Sequence, residues 1–140
     1  MKTILLSLAL IASASSVMAA PQAQIMCAST GSIDGISTIS VTAFAEKLVA
    51  ITTNNQSGRS IEKVFNSAGT LNDVRIQLSQ MDKGPYGIDR VFLEKTGSGF
   101  ALVKTNQCSF VYQEETCSAQ EDEQFEEVSR DANVACVLAQ

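Results

Sequence analysis

Apolar residues recurring at every second position, in short runs divided by turn formers, constrain this chain more than any other feature of its sequence. In Val74-Arg75-Ile76-Gln77-Leu78 the three aliphatic residues fall on one side and Arg75 and Gln77 on the other. Ile39, Val41 and Ala43 alternate in the same way with Thr38, Ser40 and Thr42. A period of two belongs to a half-buried strand. Less regular runs at 25–30, 48–53, 60–65, 90–95, 100–104, 109–113 and 134–139 bring the expected total to roughly nine strands. Asn54-Asn55-Gln56-Ser57-Gly58, Ser67-Ala68-Gly69, Lys83-Gly84-Pro85-Tyr86-Gly87 and Gly97-Ser98-Gly99 separate them, because Gly and Asn accept positive φ and Pro presets its own. The expected fold is mainly β, an antiparallel sandwich or small barrel of roughly 8–9 strands.

One stretch breaks the period. Ser118-Ala119-Gln120-Glu121 has the spacing of a capping box, and Phe125 with Val128 supplies an apolar i, i+3 pair. One late helix is therefore expected over about 119–130. Glu121, Asp122 and Glu123 would sit at the positive end of its dipole and Arg130 at the negative end, with Glu126 and Arg130 as an i, i+4 pair.

The first residues set the compartment. Lys2, an apolar run over 4–12 and the small-residue stretch ending in Val17-Met18-Ala19-Ala20 have the layout of a secretory signal peptide, with cleavage expected after Ala19. The apolar run is shorter than the about 20 residues that span a bilayer, and Gln24-Ile25-Met26 before Cys27 lack the small residues of a lipoprotein signal. Residues 1–19 are thus expected to be removed, leaving 20–140 as a single disulfide-stapled domain without a membrane anchor. Export to a periplasmic or extracellular space makes bridges of cysteines by default. Cys27, Cys108, Cys117 and Cys136 allow three pairings, and the sequence does not choose among them. Cys27 with Cys136 would tie the first strand to the last and leave Cys108 with Cys117; Cys27 with Cys108 and Cys117 with Cys136 is the rival.

Composition removes several kinds of chemistry. The 140 residues include no His, so Ser-His-Asp and Cys-His triads and imidazole-containing zinc sites cannot be built. Bridged cysteines leave no thiol nucleophile, and no cofactor motif or metal-ligand set is present. Ser60-Ile61-Glu62-Lys63 and Lys95-Thr96-Gly97 match two signatures of penicillin-binding serine enzymes, but the third, S-D-N, is missing. Sixteen Ser and six Lys make one chance S-x-x-K match ordinary. Asp89 and Glu94 could form an acid and base pair only if the fold brought them together. Asn55-Gln56-Ser57 fits the N-glycosylation pattern and is read as a plain turn.

Charge is the remaining asymmetry. Without Lys2 the chain has fifteen acids against nine bases, and residues 114–131 contain eight acids against Arg130 alone. Such a field repels nucleic-acid phosphates, so nucleic-acid binding is not expected. The segment also lacks the alternating Asp/Asn positions and central Gly of an EF-hand loop. Its functional reading is a docking face for a basic protein through Glu121, Asp122, Glu123, Glu126 and Glu127. Tyr86, held between turn formers, is a second candidate contact. The plain reading of the same acids is a well-capped, solvated helix. The expectation is a non-enzymatic binding or inhibitory module. The alternatives are a carrier of a small apolar ligand inside a barrel and a structural envelope protein. Oligomeric state is not legible.

Overall fold

The computed structural model describes residues 23–107 and 126–139. These residues form an antiparallel meander of eight strands: β1 (Ala23–Ala28), β2 (Ile36–Phe44), β3 (Lys47–Gln56), β4 (Arg59–Ala68), β5 (Arg75–Asp82), β6 (Ile88–Thr96), β7 (Gly99–Gln107) and β8 (Glu126–Ala139). Hydrogen bonding runs in the order β4-β3-β2-β1-β8-β7-β6-β5, and β4 and β5 approach one another without a ladder. The sheet is therefore a nearly closed barrel with one open seam. Curling a sheet until its edges meet hides the unpaired amides that a flat sheet would expose.

Alternation is what makes the interior. On β3 Leu48, Ala50, Thr52 and Asn54 are buried, while the β-branched Val49, Ile51 and Thr53 between them face outward. Ile25, Ile39, Val41, Leu78, Leu93 and Leu102 fill the centre from six other positions around the sheet, each at 2% exposure or less. At eight strands an interior is just wide enough for side chains to fill. β7 is buried on both faces, Leu102 inward and Ala101 and Val103 outward, which fits its near-continuous apolar run. Val74, which the alternation placed inside, is 67% exposed, because β5 begins one residue later and Val74 serves as a carbonyl acceptor for Lys95 N–H.

Cys27 and Cys136 sit directly opposite one another on β1 and β8 and are bridged, with Cα atoms 4.1 Å apart. The bond lies on the inward side and joins the first strand to the last. Of the two pairings favoured above, this is the one that keeps Cys27 with Cys136; Cys108 and Cys117 lie outside the described residues. A disulfide is consistent with an oxidising, exported compartment. The expected leader, residues 1–19, also lies outside them, and no helix among the described residues is long and apolar enough to cross a membrane.

The late helix is corrected. Residues 126–130, its expected C-terminal part, are the start of β8, and 119–125 lie outside the described residues. The helical signals were local, but Glu126 to Val134 have the edge of β7 to pair with, and a ladder satisfies every second backbone group without needing a helical turn. A bulge opposite Lys104/Thr105 leaves Val128 as the extra residue, 50% exposed. That bulge puts Glu127 and Arg130 on the same outward face, where Arg130 Nη2 donates to Glu127 Oε1 at 2.7 Å and to Glu94 Oε1 at 3.1 Å. The i, i+4 partner expected for Arg130, Glu126, is not the one it takes.

Two-residue turns join β2 to β3, β3 to β4 and β6 to β7. Ser57 and Gly58 both have positive φ, 52° and 77°, the backbone of a tight hairpin turn. β5 and β6 are joined instead by a short 3-10 turn, Gly84–Tyr86, that ends in the buried Gly87. At Gly87 φ is 90°, and a Cβ there would lie 2.6 Å from the Gln107 carbonyl oxygen, a backbone atom that cannot rotate away. Gly87→Ala is expected to cost about 2–3 kcal/mol in chemical denaturation, while Gly84→Ala, with positive φ but open space around it, should cost about 1. Equal losses would mean that the 2.6 Å approach is relieved by a shift of the turn.

Candidate functional site

The inward-facing series do not stay apolar along their length. β3 passes from Leu48 and Ala50 to Thr52 and Asn54, β6 read backwards from Leu93 and Val91 to Asp89, and β7 from Leu102 to Lys104 and Asn106. The register puts all of these changes at one end of the barrel, the end that carries the β1–β2 loop, the β3–β4 turn and the 3-10 turn. Ile33, from the β1–β2 loop, is 2% exposed and joins the core, so that loop folds down over the barrel beside β1 and β2.

A cavity of about 290 Å³ lies at this end, against the strands that flank the open seam. Thr52 and Val91 belong to its lining from deeper in the barrel, Ile36 from the start of β2 beside Asn54, and Ser79 and Met81 from β5. Met81 shares a face with Asp89 and Ser79 with Val91, because a β5 bulge between Gln77 and Ser79 resets the alternation there. Lys63, opposite Thr52 in the β3–β4 ladder, stands on the same face as Thr52 and lines the cavity from the edge strand.

Its charges are organised. Lys104 Nζ donates to Asp34 Oδ1 at 2.7 Å and lies 3.7 Å from Asp89 Oδ2, which is itself 3.1 Å from Lys83 Nζ. Asn106 Nδ2 donates to Asp89 Oδ1 at 2.9 Å and to the Tyr86 carbonyl at 2.9 Å. Burial pushes the Asp89 carboxyl up, but the Asn106 hydrogen bond and the two lysines outweigh it and hold the group below the usual aspartate value. For Lys104 burial acts downward and is outweighed by Asp34 and Asp89, so its ammonium is held more firmly than an ordinary lysine's. Lys63 has no ion-pair partner among the described residues.

Asn54 has one acceptor without a partner. Its Nδ2 donates to the Asp34 carbonyl at 2.7 Å, which fixes the direction of the amide. Its Oδ1 is buried and has no hydrogen-bond partner among the described residues. A buried acceptor left in that condition costs about 1–3 kcal/mol. Asp34 itself holds a left-handed backbone, φ 51°, between two ties, its carbonyl to Asn54 and its carboxylate to Lys104. The other orphan, Thr105 Oγ1, is on the outward face of β7 and is not part of this site.

The residues singled out from sequence fare differently. Tyr86 is at the same end of the barrel, 58% exposed as a residue, with its carbonyl held by Asn106. Glu126 is exposed, Glu127 is engaged by Arg130, and Asp131 is buried, so of the acidic segment at 114–131 the described residues offer Glu126 alone as an acid without an ion-pair partner among them. Glu121, Asp122 and Glu123 lie outside the described residues. Asp89 and Glu94 are on opposite faces of β6 and are not brought together. Ser60 and Lys63 likewise project to opposite sides of β4, and Ser60 Oγ donates to Asn55 Oδ1 at 3.0 Å. Among the described residues no three His, Cys, Asp or Glu side chains gather in one place.

Asn54, Thr52 and Lys63 were missed as site residues. The signal was available: the parity that puts Leu48 and Ala50 inside continues to Thr52 and Asn54. Comparison with protein-family models, with curated proteins and with solved structures found no match.

Proposed function

We propose that this protein is an exported, non-enzymatic binding module whose site is the polar mouth of its barrel, accepting a small polar molecule. The observation that carries this reading is a cavity of about 290 Å³ at one end of the barrel whose lining gathers Asp34, Lys63, Lys83, Asp89 and Lys104 beside Thr52 and Asn54. Binding rather than catalysis is supported by the charge states. A general acid or base works best with a pKa near the operating pH, whereas Asp89 and Lys104 are shifted away from neutrality in opposite directions. The missing histidine and the bridged Cys27 and Cys136 point the same way. Export to the periplasm or beyond rests on the leader-like residues 1–19 together with the disulfide.

An apolar cargo suits the interior less well. Below the mouth the barrel is filled by its own side chains, Ile25, Val41 and Leu102 among them at 0% exposure, and the cavity that is present is ringed by lysines and aspartates. Docking of a basic protein through the acidic segment rests on sequence alone.

The test is a screen of neutral, anionic and cationic fragments against ¹⁵N-labelled protein, read by amide shifts. Perturbations are expected to gather on Thr52, Asn54, Asp89 and Lys104. Hits that map elsewhere, or a basic partner retained from cell extract at low salt and lost in Glu126→Gln/Glu127→Gln, would overturn the mouth as the site.

A further inference from the structure

We propose that the outer face of the β4-β3-β2-β1 half, continued onto the last residues of β8, is where a second copy of this chain packs. β8 belongs to both halves: 126–134 pair with β7 and 135–139 with β1, and the bulge opposite Phe100/Leu102 bends the strand from one to the other. Five strands thus share one outer wall, and their ladders align its side chains into three rungs of five. The middle rung reads Val64, Ile51, Ser40, Met26 and Val137, with Val64 60%, Met26 48% and Val137 65% exposed. Singly, such residues are ordinary on a surface. Aligned, they make one apolar ridge, and contiguous exposed apolar surface marks an interaction site.

Charge says what the ridge meets. Of the three rungs of five, Glu62 at one corner is the only charged residue, although surfaces carry about 25–35% charged residues and four or five would be expected there. With no field to steer a basic or acidic partner, the wall selects neither. A second copy suits it, because a two-fold contact asks only that a surface match its own image. Two chains of net charge −5 press acids together on most faces, and this wall is where they meet without doing so. Its polar groups are partly answered from within, since Gln24 Nε2 donates to Ser40 Oγ at 2.8 Å, which lowers the cost of covering them. Size sets the strength. At strand and residue spacings of about 4.8 Å and 3.4 Å the wall measures roughly 24 Å by 20 Å, so a pair buries close to 1,000 Å², the low end for a specific contact. The wall is a side of the barrel and the mouth its end, so the dimer leaves the cavity open, and neither reading depends on the other.

The experiment is sedimentation equilibrium of the mature, disulfide-bonded protein. A monomer–dimer equilibrium is expected with a Kd on the order of 10–100 μM, as an interface of this size supports. Met26→Lys/Val137→Lys brings like charges together in the contact and should weaken it at least 10-fold. Val64→Lys, at the far end of the ridge from the disulfide, should do the same, and an unchanged far-UV spectrum shows that either variant folds. Tyr86→Lys, which changes an equally exposed residue at the mouth, should leave the dimer as it was. A monomer at every concentration up to several times that Kd overturns the proposal and leaves the ridge to another occupant. So does a dimer that the ridge variants leave unchanged, or one weakened as much by Tyr86→Lys.

Discussion

Cys27→Ala/Cys136→Ala is expected to unfold with a stability about 4–5 kcal/mol below that of the oxidised protein. The two cysteines are 109 positions apart, and in the chain-entropy description a closed loop of about 100 residues is worth roughly 4.7 kcal/mol at 25 °C. The place of the bridge in the sheet adds to its importance. β1 to β4 form one half of the barrel and β5 to β8 the other, and the halves share one ladder, β1 with β8, because β4 and β5 approach without pairing. That ladder runs over only Gln24 to Ala28, and the disulfide sits within it. Cys27 is moreover 6% exposed and part of the core, so its truncation removes packing as well as a crosslink. In urea, with a slope of about 2 kcal/mol/M, the transition midpoint should fall by roughly 2 M. A fall below about 0.5 M would show that the β1–β8 ladder holds the halves together unaided.

Where the sequence could be read, it could be read because a barrel wall has an inside and an outside. Eight of the nine expected strands correspond to β1 through β8, and the ninth, 109–113, lies outside the described residues. The apolar alternation that marks such strands is a direct image of burial. Two things escaped that logic. The inward parity on β3 continues into Thr52 and Asn54, yet Asn54 was assigned to a turn because Asn-Asn-Gln-Ser-Gly looks like one; the turn proper is only Ser57 and Gly58. Asp89 escapes in the same way: it is 8% exposed, although a polar residue looks outward-facing until the strand's parity is carried through it. The helix over 119–130 failed differently. Capping boxes and i, i+3 pairs are judged within a dozen residues, whereas the competitor was an edge of β7 more than twenty residues upstream. Cysteine pairing is of the same kind: Cys27 meets Cys136 because β1 and β8 are neighbours in a particular register, which no spacing along the chain encodes.

Asp131→Asn is expected to lower stability at pH 7 by about 2 kcal/mol and to lower it much less at pH 3. Asp131 is 5% exposed, and its carboxylate is held by neutral donors: Thr30 Oγ1 at 2.7 Å and Thr30 N–H at 3.2 Å on Oδ2, and Asn133 N–H at 2.9 Å on Oδ1. It thereby clasps the start of the β1–β2 loop to β8, beyond the point where the β1–β8 ladder ends. Hydrogen bonds to an ionised group contribute about 1.5–3 kcal/mol, and an amide in its place turns one acceptor into a donor facing the Thr30 donors. Burial raises the affinity of this carboxyl for a proton, but the Thr30 and Asn133 bonds outweigh it and hold its pKa below the ordinary aspartate value. The sign follows from linkage. A folded-state pKa that is depressed gives stability present in full above the unfolded value, near 4, and lost as the pH falls through the folded one. Asp89 and Glu94 are shifted in the same direction, Asp89 by Asn106 and the lysines and Glu94 by Arg75 and Arg130, each against a raising effect of burial. All three carboxyls thus put their loss on the acid side, below about pH 4, where denaturation midpoints of the unmodified protein should fall steeply and those of the Asn variant less so. A gap between the two proteins that stays constant from pH 7 to pH 3 would mean that Asp131 is not held as a carboxylate, and the clasp would then be an ordinary neutral hydrogen bond.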